Sequence, residues 1–243
     1  VISPPSATAQ PSAAAPHAGA PLSGAALRDA HTWVFDLDNT LYPAECALFE
    51  QVQQRMGEFI STTFALDAAA AAEKRKYFFQ KHGTTLRGLM VEHGVDPVAF
   101  LDYVHDIDLS VVAALPALAE QLQRLPGRKL IYTNGTVAHA ERIMRKLGVH
   151  HHFEAVFDIV ASDYLPKPEI APYRAMLKAH GVEPMGAVMV EDMARNLKPA
   201  AELGMTTVWV PTAAAWSRPD ADDHTHIHYT APDLTAFLAA LPA

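Results

Sequence analysis

The chain has 243 residues, half of them hydrophobic, with 27 acidic against 19 basic side chains and a formal net charge of −8. That length supports one sizeable core plus a smaller second unit, and the charge argues against a nucleic-acid backbone as partner, because such binding rests on clustered Lys and Arg. No run approaches the roughly 18 consecutive apolar residues of a membrane-spanning helix. The single cysteine, Cys46, cannot form an intrachain disulfide, which fits a reducing compartment and a cytoplasmic location.

Residues 1–28 are rich in Ala, Pro and Ser, hold no acidic residue and offer too few large apolar side chains for a core, so a disordered tail is expected. Order is expected from Thr32-Trp33-Val34-Phe35-Asp36, a short apolar run ending in acid and turn residues, the pattern of a buried parallel strand. Four later runs of the same kind follow: Arg128 to Thr133, Ala155 to Val160, Ala187 to Glu191 and Thr206 to Val210. Helical patterns separate them. Pro116 opens one helix, with Leu118, Leu122 and Leu125 on one face and Pro126-Gly127 as the stop. Thr136 caps another, in which Val137, Ala140, Ile143, Met144 and Leu147 form the apolar stripe and Gly148 the C-terminal stop. Strand alternating with helix predicts an α/β doubly wound parallel sheet.

Between the first strand and Pro116 the alternation lapses. Helices are expected over Ala44 to Phe64, Asp67 to His82, Thr85 to His93 and Asp96 to His105. An all-helical insertion there, residues 44–113, would divide a core of 29–43 and 114–243 and sit over the carboxyl ends of the strands, where open parallel sheets bind ligands.

Asp36 and Asp38 stand two positions apart where a buried strand runs into a loop. Two close carboxylates repel and are costly to bury, so a cation or a shared proton is expected to hold them. Mg²⁺ on hard oxygen ligands would do so and also neutralise a phosphate. Tyr132-Thr133-Asn134-Gly135 leads from the second strand into a helix start, converging a hydroxyl and backbone N–H groups beside a positive helix end, which is a phosphate cradle. Lys167 lies between Pro166 and Pro168, a stiff setting that can aim its ammonium. Glu191-Asp192, with Asn196 beyond, supplies further oxygen donors at the same sheet edge.

In order and spacing, Asp36-Leu37-Asp38-Asn39-Thr40, Thr133-Asn134-Gly135, Lys167-Pro168 and Glu191-Asp192 resemble the four motifs of the haloacid dehalogenase superfamily, and the helical insert resembles its cap domain. Asn196 departs from the pattern, as does Glu191, since Asp is common at both places. Finer features are similar to the pyrimidine 5′-nucleotidase branch: Phe35 to Pro43, Thr85-Leu86-Arg87-Gly88-Leu89, Val104-His105 and His139-Ala140.

The resemblance implies a phosphoric monoester hydrolase. Asp36 would form an aspartyl-phosphate, and Asp38 would protonate the leaving oxygen and then activate water, with a pKa raised to suit. Mg²⁺ would rest on Asp36, the Asp38 carbonyl and Asp192, with Glu191 acting through water. Thr133, Lys167 and the Leu37, Asn134 and Gly135 stretch would hold the phosphate. It further implies UMP or CMP as substrate, for a monomer or homodimer. Phosphoglycolate or a sugar phosphate is the alternative, and a non-catalytic regulatory protein of the same fold a more distant one. Halide removal is disfavoured, since that chemistry has no use for Asp38. Arg87, Phe79, Tyr103 and His105 are the candidate residues for choosing the substrate. His150-His151-His152 and His224, His226 and His228 are expected in surface connections.

Overall fold

The structure is a computed structural model and describes residues 26–214, 217–219 and 224–241. The expected tail, residues 1–28, lies outside the described residues except for its last three, which belong to the 3₁₀ turn Ala26–Asp29. Leu27 of that turn is buried in the core.

A six-stranded, all-parallel sheet forms the centre, in the order β3-β2-β1-β4-β5-β6. Its strands are β1 (Thr32–Phe35), β2 (Arg128–Tyr132), β3 (Ala155–Phe157), β4 (Ala187–Glu191), β5 (Thr206–Trp209) and β6 (Tyr229–Thr230). β1 is central, pairing Phe35 with Ile131 on one side and with Val190 on the other. The chain steps outward from β1 through β2 to β3 and then returns to β4 beside β1. This strand order reverses at β1 and β4, the position where open sheets leave a crevice.

Both faces of the sheet are covered, as the two-residue alternation of a strand requires. Trp33 and Phe35 face one apolar cluster together with Ile131, Val188 and Val190. Val34 faces the opposite cluster with Leu130, Tyr132, Met189 and Tyr173. The covering helices are α5 (Pro116–Arg124), α6 (Val137–Leu147), α7 (Ile170–His180), α8 (Ala194–Glu202) and α9 (Leu234–Ala239).

The remaining helices, α1 (Leu48–Phe64), α2 (Ala68–His82), α3 (Thr85–His93) and α4 (Pro97–Val104), fill the stretch between β1 and α5, with no strand among its described residues. The expected helix over Ala44 to Phe64 is broken at Ala47, which adopts φ 58° between a 3₁₀ turn and α1. Asp67, Thr84 and Asp96 cap α2, α3 and α4 by accepting backbone N–H bonds. Helices α2 and α3 cross so closely at Gly88 that a Cβ there would lie 2.4 Å from Phe78 Cδ1. No helix among the described residues is long and apolar enough to cross a membrane.

Two readings from the sequence need correction here. β3 ends at Phe157 rather than Val160, because the Asp158 carboxylate accepts from Val137 N (3.0 Å) and Ala161 N (2.8 Å) and turns the chain away from β2. The second histidine group is no simple surface connection. His226 is buried with Nε2 3.0 Å from Ala194 O, and His228 Nδ1 accepts from Thr207 N at 3.0 Å, fastening the approach to β6 onto β5.

Candidate active site

The floor of the site is the carboxyl end of β1. Asp36 is 6% exposed and its N–H donates to Val190 O at 2.8 Å, so the backbone is held in the sheet up to the carboxylate itself. Asn39 then takes φ 62°, a left-handed turn that Asn tolerates well. That turn brings Thr40 back, and its hydroxyl donates to Asp36 Oδ2 at 2.8 Å.

Lys167 answers the other Asp36 oxygen. Its Nζ donates to Asp36 Oδ1 (2.7 Å), Glu191 Oε2 (2.6 Å) and Tyr132 O (2.9 Å), joining the ends of three adjacent strands through one buried cation. Burial would strip the charge from this ammonium, but the Asp36 and Glu191 carboxylates outweigh it and hold the lysine protonated. Burial also pushes the Asp36 carboxyl up to about 7, with Glu191 adding to the rise and Lys167 opposing it. Asp192 is likewise pushed well above the ordinary range, first by burial and then by Glu191 and Asp36.

The cradle forms at the end of β2. Gly135 N donates to Thr133 Oγ1 at 2.9 Å, and Thr136 Oγ1 accepts from His139 N at 3.2 Å to cap α6. The start of α6 thus follows directly on Thr133, Asn134 and Gly135 at the end of β2. Asn134 fixes the neighbouring loop, since its Oδ1 accepts from Lys167 N at 2.9 Å.

Asp38 sits at the rim of this floor, half-buried, and differs from expectation. Tyr42 OH donates to its Oδ1 at 2.6 Å and His139 Nε2 lies 3.1 Å from the same oxygen. Burial favours the neutral acid, but His139, Tyr42 and His105 together outweigh burial and hold the carboxyl below its ordinary value, not above it as the sequence reading had it. Sequence reasoning named His139 only as part of a branch-like motif, gave it no place in the site and counted Val137 into the apolar stripe: Val137 is exposed, whereas His139 is 3% exposed and opens the buried face that continues through Ala140, Ile143, Met144 and Leu147.

Above the floor lies a cavity of about 600 Å³ between the sheet edge and α1 to α4. Asp36, Asp38, Thr133, Asn134, Gly135, Lys167, Glu191 and Asp192 all line it. Of the substrate-choosing candidates, Phe79 and His105 line it as well. Arg87 does not, and neither does Tyr103, whose ring instead packs under the Arg55 guanidinium at 4.1 Å and beside Phe59. Besides Lys167, the Lys and Arg side chains that reach the cavity are Arg75, Lys76 and Arg195. Arg195 crosses from α8, laying its guanidinium 4.4 Å over the Phe79 ring and donating to Gly83 O at 3.1 Å.

The donor set suits a hard cation. Ligand atoms of Asp36, Glu191 and Asp192 lie within 4.8 Å of one another. Asp192 Oδ2 and Asn196 Oδ1 are buried with no hydrogen-bond partner among the described residues, an arrangement that a cation or its bound water would complete. Glu191, by contrast, has both oxygens in use, one by Lys167 and the other by Met193 N at 3.2 Å. The Asp192 carbonyl is turned away by Trp209 Nε1 (2.8 Å) and Ser217 Oγ (2.7 Å), which both donate to it.

Residues 31–204 match the family model of haloacid dehalogenase-like hydrolases, and the chain belongs to that family. Phosphate metabolism protein 8 of Saccharomyces cerevisiae is 24% identical over 187 residues, 70% of this chain and 58% of that protein. The chain thus spans 58% of the length of this curated relative. Among solved structures, the Bacillus subtilis protein YfnB bound to magnesium aligns with a TM-score of 0.57 at 16% identity, over 88% of this chain and 99% of that one. The L-2-haloacid dehalogenase of Xanthobacter autotrophicus aligns with a TM-score of 0.53 at 16% identity, over 87% and 99%. At such identities the likeness concerns the fold.

Proposed function

We propose that the protein is a Mg²⁺-dependent phosphomonoesterase that works through an aspartyl-phosphate on Asp36, with a pyrimidine nucleoside monophosphate as substrate. The observation that carries this reading is Asp38, a second carboxylate at the rim, oriented by two side-chain partners. Displacing halide from carbon leaves an anion that needs no proton. Cleaving a phosphate ester leaves an alkoxide that does.

In the first half-reaction Asp36 attacks phosphorus, and Thr40 and Lys167 fix the direction of its two oxygens. Thr133, the Leu37 and Asn134 N–H groups and Lys167 receive the equatorial oxygens where charge gathers. Asp38 gives its proton to the leaving oxygen, then takes one from the water that hydrolyses the acyl-phosphate. Its resting tendency toward the charged form suits the second role. The first is served when a phosphate dianion enters beside it, because a like charge disfavours the carboxylate. Asp36, Asp192 and the Asp38 carbonyl would hold Mg²⁺, which when bound supplies charge neutralisation for the phosphate.

The nucleotide assignment rests on the branch-like motifs and on a cavity whose size suits a small molecule, with Phe79 offering a ring and Arg75, Lys76 and Arg195 offering donors. Phosphate release measured across UMP, CMP, other nucleoside monophosphates, phosphoglycolate and sugar phosphates, with Asp36→Asn as the blank, tests both levels. Equal or better turnover of a sugar phosphate would remove the pyrimidine assignment. Absence of Mg²⁺-dependent release from the whole panel would remove the phosphatase.

A further inference from the structure

Beyond the residues that meet the phosphate, the geometry points to His139 as a positioning residue for Asp38, backed from the cap side by His105. This rests on the phosphomonoesterase reading above. Tyr42 and His139 both address Asp38 Oδ1, at 2.6 and 3.1 Å, while Oδ2 makes no hydrogen bond among the described residues. Two donors on Oδ1 occupy its lone pairs and fix the carboxylate plane. Oδ2 is then the oxygen that carries the proton to the leaving group and later accepts one from water.

The His139 ring is itself over-determined. His105 stacks on it with centroids 4.1 Å apart and planes 16° from parallel. Thr136 Oγ1 lies 3.2 Å from His105 Nδ1, and Arg142 donates to His105 O (3.0 Å) and Ile107 O (3.3 Å). Since Thr136 and Arg142 belong to the cap and body of α6, the end of α4 is fastened to the same helix that carries His139. Gly135 leaves room at the edge of the stacked pair: a Cβ there would stand 3.1 Å from His139 Cδ2 and 3.7 Å from His105 Nε2. A ring stacked on one face and bounded at its edge by Gly135, with its nitrogen on the acid/base, sets the direction of Asp38. A histidine that merely fills space has no need to point at Oδ1.

The two roles separate by leaving group. p-Nitrophenyl phosphate and phenyl phosphate have nearly the same shape, but nitrophenolate departs without a proton and phenolate benefits from one. The quantity to measure, on the full chain with Mg²⁺, is kcat/KM, which covers only the steps up to the aspartyl-phosphate. The ratio of the two substrates on one preparation is independent of the fraction folded. His139→Leu should lower kcat/KM on phenyl phosphate about 10-fold or more beyond its effect on p-nitrophenyl phosphate, part of the roughly 10²–10⁴ that a placed proton donor contributes. His139→Gln, which keeps an N–H donor, should recover most of that selective loss, and His105→Ala should show a smaller one. In an Asp38→Asn background His139→Leu should add little, since the two act as one unit. An equal fall on both substrates, with wild-type activity intact, would overturn the positioning role and leave the phosphatase standing. A wild-type protein without Mg²⁺-dependent activity on either ester would overturn both.

Discussion

Replacing Lys167 by Met tests the electrostatics of the floor directly. The side chain is 1% exposed and its ammonium bonds to both Asp36 and Glu191. Removing one partner of a buried pair costs about 3–5 kcal/mol, and for a chain of this size each kcal/mol is worth about 2–4 °C in Tm, so a fall of about 6–20 °C is expected without metal near neutral pH. The loss must depend on pH. Asp36 titrates at about 7 in the native protein against an ordinary 3.8, so the folded state binds more protons than the unfolded one between those values. Its contribution is fully present below about pH 4 and is lost as pH rises through about 7, by about 4 kcal/mol in all. Without the lysine the carboxylates repel more strongly still, and the deficit of the variant against wild type should widen from about pH 5 to about pH 8. Mg²⁺ should raise the variant's Tm more than that of wild type, by restoring positive charge. Thermal unfolding followed by circular dichroism at both pH values, with Mg²⁺ and with EDTA, gives all four comparisons. A deficit that is the same at both pH values would refute the view that this lysine keeps the carboxylates charged.

Three further outcomes are expected. Thr133→Val removes a hydroxyl from the cradle and should lower kcat about 10²–10³-fold, while loss of the acceptor for the buried Gly135 N–H should cost about 1–3 kcal/mol, as seen by steady-state kinetics and a melt. Gly88→Ala forces the Phe78 ring aside between α2 and α3 and should cost about 1–3 kcal/mol, measured by urea unfolding; a neutral result would mean the helices separate freely. Arg195→Ala removes the guanidinium from Phe79 and Gly83, and should raise KM for UMP more than it lowers kcat; a pure kcat effect would place Arg195 in the chemistry instead.

The sheet was legible because each core strand is a short apolar run closed by a polar residue with a task. Asp36, Thr133 and Glu191 mark the strand ends that build the floor, and the structure brings them to one cavity. β6 was not legible, being two residues long and set by pairing with Val208 and Trp209 rather than by its own pattern. Only the first member of the buried face of α6 was misread, Val137 standing for His139, because a buried histidine bonded to a carboxylate looks polar in sequence and Val137 looks apolar. The residues around the cavity above the floor were the least legible. Ala68 to Ala72 give α2 no stripe by which to orient it, so Arg87 and Tyr103 were chosen where Arg75, Lys76 and Arg195 face the cavity. The direction of the Asp38 shift depends on a partner 101 residues away, which no local spacing reveals.

The strand order has a consequence for how this molecule tolerates change. The carboxylates ride on β1 and β4, the two innermost strands, whose side chains are buried throughout. The cavity walls come largely from helices that pack on each other through contacts such as Phe59 against Phe100, 5.1 Å apart. A library that varies Phe79, Gln80, Arg75 and Lys76 therefore samples substrate preference while the reactive centre stays on a mount that those substitutions do not touch.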